Sequence, residues 1–134
     1  MANFAEQFLE DDQIILEADA DLSAKQFYFV KLSSDGQVAY CSGTDNIPIG
    51  VLQNDPDAAA EDAKVLPCGS GKICKLTVDG NAGAISIGSY LDTNAAGKGV
   101  VHTSGHYFAI ALETSTAATD VIPVILLTGN VTKV

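Results

Sequence analysis

The chain has no tryptophan, a single methionine and no arginine. Its only cations besides two histidines are seven lysines, set against seventeen Asp and Glu for a net charge of −10. Nucleic-acid affinity comes mainly from Lys and Arg neutralising phosphates. This balance therefore excludes a DNA- or RNA-binding role and docking on anionic lipid. Three cysteines, Cys41, Cys68 and Cys74, are too few and odd in number for a disulfide scaffold. They read as reduced thiols of a cytosolic product. The longest apolar run, 121–127, is strand-sized, contains Pro123 and falls far short of the roughly 20 residues that span a bilayer. The first residues have neither the basic nor the apolar region of a secretory signal.

What is present is the composition of one globular domain. The chain is 134 residues long, 47% hydrophobic and 18% charged. Seven acids fall within the first 21 residues, and no base precedes Lys25. The N-terminal end is thus an acidic arm, residues 1–13, ahead of a mildly acidic body, residues 14–134. Such a surface keeps a protein soluble and suits a basic partner. Within the arm, Asn3 with Glu6 forms a weak capping box, and Phe4, Phe8 and Leu9 share one helical face. A helix of this length is marginal alone, and a disordered terminus is an equal alternative.

The body reads as short strands and turns. Apolar or alternating runs at 14–16, 26–32, 37–41, 47–52, 63–66, 73–78, 90–92, 100–102, 107–112 and 121–127 are separated by clusters rich in Gly, Asp, Asn and Ser. Many short strands at regular spacing predict an all-β barrel or sandwich. The runs also repeat. Residues 47–54 align with 107–114, and 65–69 with 125–129, at an offset of 60. Upstream, Phe29-Val30 and the turn at Asp35-Gly36 match Tyr90-Leu91 and Ala96-Gly97 at an offset of 61. Two similar β-modules sharing one core are expected.

Several local patterns suggest chemistry and fall short of it. Gly69-Ser70-Gly71-Lys72 lacks the first glycine and the final Ser or Thr of a phosphate-binding loop and reads as a hairpin turn. His102 and His106 flank a turn, and no acid or cysteine nearby in sequence completes a metal set. The alternating acids Glu17, Asp19 and Asp21, and Asp55 and Asp57 with Glu61 and Asp62 beyond, are oxygen ligands of the type calcium takes, but the EF-hand spacing is absent. Ser70, Cys68 and His106 are the only candidates for a hydrolytic site, without the spacing of a nucleophile elbow. No catalytic residue, cofactor or metal is therefore assigned.

The segments Asp21-Leu22-Ser23-Ala24-Lys25-Gln26-Phe27, Phe29-Val30-Lys31-Leu32 and Ile47-Pro48-Ile49-Gly50-Val51-Leu52-Gln53-Asn54-Asp55-Pro56 resemble tailed-bacteriophage capsid decoration (cement) proteins. So do Ile87-Gly88-Ser89-Tyr90-Leu91-Asp92-Thr93, Gly97-Lys98-Gly99-Val100, Ala109-Ile110-Ala111-Leu112-Glu113 and the run 121–127. The resemblance covers about residues 14–129 and rests on small residues and turns. It implies a compact β-barrel or β-tulip body, a homotrimer, and a place on the outer capsid surface. The partner would be the major capsid protein, and the protein would be made in the host cytoplasm and end in the virion. The arm would then reach a neighbouring subunit, with Phe4, Phe8 and Leu9 docking in a groove and Glu6 and Glu10 meeting basic residues of the shell. Fully extended it spans roughly 40 Å, at about 3.3 Å per residue. Two other readings stand beside this one: a small β-barrel ligand- or carbohydrate-binding module of a phage fibre or adhesin, and a small hydrolytic barrel.

Overall fold

The computed structural model describes residues 13–43, 47–102 and 105–127, and the backbone of 132–133. Phe4, Glu6, Phe8, Leu9 and Glu10, and the helix expected over residues 3–10, lie outside the described residues. No described residue is helical.

Each of the ten expected runs contains a strand. β1 (Ile14–Ala18), β2 (Phe29–Ser34), β3 (Gln37–Tyr40), β4 (Gly50–Leu52) and β5 (Asp62–Pro67) form a closed barrel in the order β1-β3-β2-β4-β5. The β2–β3 hairpin turns at Asp35-Gly36, where Gly36 takes φ of 72°, a conformation glycine adopts without steric cost. The β1–β3 pair is parallel and the other pairs are antiparallel.

The second half repeats this plan. β6 (Ile73–Val78), β7 (Tyr90–Thr93), β8 (Gly99–Val101), β10 (Ala109–Ala111) and β11 (Asp120–Leu126) close in the order β10-β11-β6-β8-β7. Here β6–β8 is the parallel pair. Two short strands, β9 (Gly105–His106) and β12 (Thr132–Lys133), were not expected from sequence and form a separate ribbon. Pro123 sits inside β11 without breaking it. Its carbonyl accepts from Leu112, just past the end of β10, and its missing N–H points the same way, so pairing with β6 is undisturbed.

The pairing fixes which residues correspond. Phe29 pairs with Val51 in barrel 1, and Tyr90 with Ile110 in barrel 2. Gly50 therefore answers to Ala109. The offset of 60 sets it against Ile110, one residue out of step. The upstream match of Phe29-Val30 to Tyr90-Leu91 holds as expected. The Gly69-Ser70-Gly71-Lys72 segment is likewise not a hairpin turn. β5 and β6 belong to different barrels, and residues 68–72 are the connector between them.

Two apolar cores result. Barrel 1 encloses Leu16, Ala18, Leu22, Val30, Val38, Leu52, Ala63 and Val65. The other core holds the interior of barrel 2, including Leu76, Leu91, Ile122 and Leu126, and continues into Phe29, Cys41, Val51 and Leu66 from the outside of barrel 1. Along β4 all three residues are buried, because one face of the strand fills barrel 1 and the other meets barrel 2. Burying a side chain of the size of Val, Leu or Phe stabilises by about 1.5–3 kcal/mol, so this shared face is a principal bond between the halves.

Candidate interaction surfaces

The joint between the barrels is built from residues 27–29. Phe27 has φ of 67°, which is rare and costly for a side chain of its size. The corresponding position in barrel 2 is Gly88, with φ of 84°. The two backbones make the same bond: Phe27 N–H donates to Leu52 (2.7 Å), and Gly88 N–H to Ala111 (2.8 Å). Barrel 1 holds a phenylalanine in a glycine conformation, and its ring packs against the core of barrel 2 with the Lys75 ammonium 5.8 Å from its centre.

This bent segment inserts into a seam of the second barrel. Thr77 N–H of β6 donates to the Phe27 carbonyl (2.8 Å), and Phe29 N–H donates to the Gly97 carbonyl (2.9 Å). In barrel 1 the corresponding groups meet directly, Glu17 N–H donating to the Gly36 carbonyl (2.9 Å). Barrel 2 therefore leaves a gap where barrel 1 is closed, and barrel 1 fills it. Phe29 meets Phe108 edge-on with ring centres 6.2 Å apart. Gly43 N–H donates to Ala95 (3.0 Å) and Gly69 N–H to Leu127 (2.8 Å). Gly97 stands so close to barrel 1 that a Cβ there would lie 3.2 Å from the Phe29 carbonyl oxygen.

The three cysteines gather at this joint as unpaired thiols. Burial pushes Cys41 and Cys68 up to about 12 and Cys74 up to about 11. Thr93 lies beside Cys41 and Gln53 beside Cys74, each across the two barrels. Thiols held this far above neutrality are protonated and poor nucleophiles. Ser70 accepts a hydrogen bond from Lys72 N–H (3.2 Å) within the connector.

His102 and His106 do have an acid near them in space, one that is distant in sequence because it comes from another strand. Asp92 on β7 is raised by burial and pulled down by both imidazoles. Among the described residues no cluster of three or more metal-ligating side chains forms. Both ring nitrogens of His102 are buried without a hydrogen-bond partner. Its ring meets Tyr107 edge-on at 5.3 Å, and Tyr107 stacks on Tyr90 at 4.3 Å. In the acidic loop, Glu61 is raised by its hydrogen bond and charge repulsion with Asp57.

The surface holds two concavities of note. One of about 450 Å³ lies between residues 82–84 and β8, lined by small side chains and Asn94. The other, of about 320 Å³, opens at the pole of barrel 1 and is lined by Ile14, Leu16, Leu32, Ile49 and the turn of Ser34, Asp35 and Gly36. Leu32 is 57% exposed there, a large apolar side chain left in water.

The two closed barrels make an all-β fold of two similar modules. No family model matches the chain, and no curated protein matches it. Among solved structures, the chain is similar to the head fiber gp8.5 N base of bacteriophage phi29, with a TM-score of 0.61 and 16% identity. The match covers 89% of this chain and 96% of that one. At this identity the likeness shows the fold.

Proposed function

We propose that the protein is a structural, non-enzymatic component of a tailed-phage virion, attached to the head. The observation that carries this reading is the near-complete overlap with the phi29 head fiber base, which accounts for both barrels at once. The resemblance of residues 14–129 to decoration proteins leads independently to the same setting, and a net charge of −10 suits a protein that must stay soluble before assembly.

Within that setting, the protein acts as a decoration protein on the outer capsid surface. It binds the major capsid protein as a homotrimer and bridges neighbouring subunits of the expanded shell. A clip across subunits adds interface that must be lost before they separate, and specific interfaces bury on the order of 1,200–2,000 Å². Three equivalent contacts raise avidity without tight single sites. The acidic arm, with Phe4, Phe8 and Leu9, supplies one of these contacts. A second reading is that the double barrel is the foot of a head fibre or related adhesin, and the identity of the phi29 match favours it.

Co-sedimentation of the purified protein with expanded, undecorated heads of its source phage tests both. Saturation at a copy number matching the lattice, with no binding to unexpanded heads, supports decoration. A few copies per head supports a fibre foot. Folded protein that binds neither form of head overturns the virion reading.

A further inference from the structure

The two barrels share one plan, so each surface of one has a counterpart on the other. The strand pairings assign Leu32 to Thr93, Gly36 to Gly97, Ile49 to Phe108, and Ile14 to Cys74. The first of each pair lines the pole cavity of barrel 1. The second belongs to the part of barrel 2 that barrel 1 covers: Phe108 touches Phe29, Gly97 bonds Phe29, and Cys74 and Thr93 lie beside Gln53 and Cys41. The open pole is thus the same surface as the filled one, on the other module.

The covering face has its counterpart too. Phe29, Cys41, Val51 and Leu66 are buried against barrel 2. Their equivalents Tyr90, His102, Ile110 and Ile125 form an aromatic and aliphatic face of barrel 2 that is only half-buried. Beside it, Ile87 precedes Gly88 as Gln26 precedes Phe27, and Ile87 is 72% exposed. One surface able to receive and one able to cover are both left over, at opposite ends of the same series.

We propose that the pole of barrel 1 receives the outer face of barrel 2 from a second copy of this chain, so that copies join head to tail. The joint between copies uses the same positions as the joint within a copy. A second copy is favoured over the acidic arm as occupant because it covers both leftover surfaces with a single contact, whereas the arm would cover the pole and leave Ile87, Tyr90 and Ile110 wet. The contact is heterologous, so repetition gives either a closed ring or an open filament. It is looser than the inner joint, because the Glu17–Gly36 bond already closes the seam that residues 27–29 enter in barrel 2. The inference does not rest on the virion reading, since it needs only the two barrels.

Sedimentation of the full chain over a range of concentrations, with Leu32→Asp and Ile87→Asp, tests this. Both side chains are largely exposed, so circular dichroism and the melting midpoint should stay near wild type in each variant. The wild type should exceed monomer mass as concentration rises, and each variant alone should be monomeric. An equimolar mixture of the two variants should form a dimer and nothing larger, because only one intact pole and one intact face remain to meet. A monomeric wild type overturns the proposal, as does an oligomer that both variants retain. Monomeric variants that stay monomeric on mixing also overturn it, since they indicate a self-complementary patch. A chain lacking residues 1–12 is run alongside. Association seen only in that chain would place the arm on the pole and overturn the proposal as well.

Discussion

Phe29 and Tyr90 occupy the same place in two barrels of the same topology, and they have different surroundings. Phe29 is fully buried, pressed on Phe108 and bonded to the Gly97 carbonyl. Tyr90 is half-buried, stacked on Tyr107 and partly wet. Strand order and pairing do not distinguish them. The difference is what lies on the outer face of the sheet. A barrel this small closes its interior with few side chains, and the remaining apolar surface on its outside decides what it binds.

The sharpest way to break this comparison is to truncate both rings. Phe29→Ala empties a buried site shared by the two barrels and should cost about 3–5 kcal/mol in denaturant unfolding. Tyr90→Ala removes a partly solvated ring and should cost about 1 kcal/mol in dilute solution. Equal losses would mean that the barrel 2 face is covered in the free chain. Next come the glycines. Gly97→Ala combines φ of 82° with a Cβ crowding Phe29 and Cys41, and should cost about 2–3 kcal/mol. Gly88→Ala has a similar φ in open space and should cost about 1 kcal/mol. A smaller gap between the two would show that the joint yields easily.

A third comparison is by pH. The buried thiols ionise near 11–12 in the folded chain but near 9.0 when exposed, so ionisation favours the unfolded state. Their contribution to stability is present in full below about pH 9 and is lost as the pH rises toward 12. Alkaline unfolding should begin at a higher pH in a Cys41→Ser, Cys68→Ser, Cys74→Ser chain, relative to its own stability at neutral pH. The smallest effect belongs to the acidic loop. Glu61 is raised by Asp57, so the repulsion is felt above the carboxylate range and vanishes below it. Glu61→Gln should raise the melting midpoint slightly at neutral pH and leave it unchanged in acid.

Much of the fold was legible because strands and turns announce themselves locally. The alternation around residues 37–40 and the Asp35-Gly36 turn located a hairpin, and the repeat located two modules. The exact register was not legible. Tyr90 follows Phe29 by 61 residues and Ile110 follows Val51 by 59, because the connection from β2 to β4 is two residues longer than its counterpart. An offset of 60 falls between the two and reverses the faces of the later strands, since side chains alternate at every residue. The role of Phe27 was also hidden. Nothing in an aromatic, β-like run signals a positive φ, and only comparison with Gly88 shows the position to be a bend. The Asp92–His102–His106 neighbourhood was missed because strand pairing, not sequence proximity, assembles it. The pole cavity of barrel 1 was hidden because its lining comes from three separate segments, at Ile14 and Leu16, at Leu32 to Gly36, and at Ile49.

The connector of residues 68–72 has a consequence for how such a molecule comes to exist. A short leash holds the second barrel at an effective concentration in the millimolar range or above. Under that tether the inner joint forms even where its contacts would be too weak to hold separate chains, and the positive φ of Phe27 is tolerated there. The same contact between copies has no tether and is exposed to dilution. One chain would thus carry a leashed and an unleashed version of the same handshake.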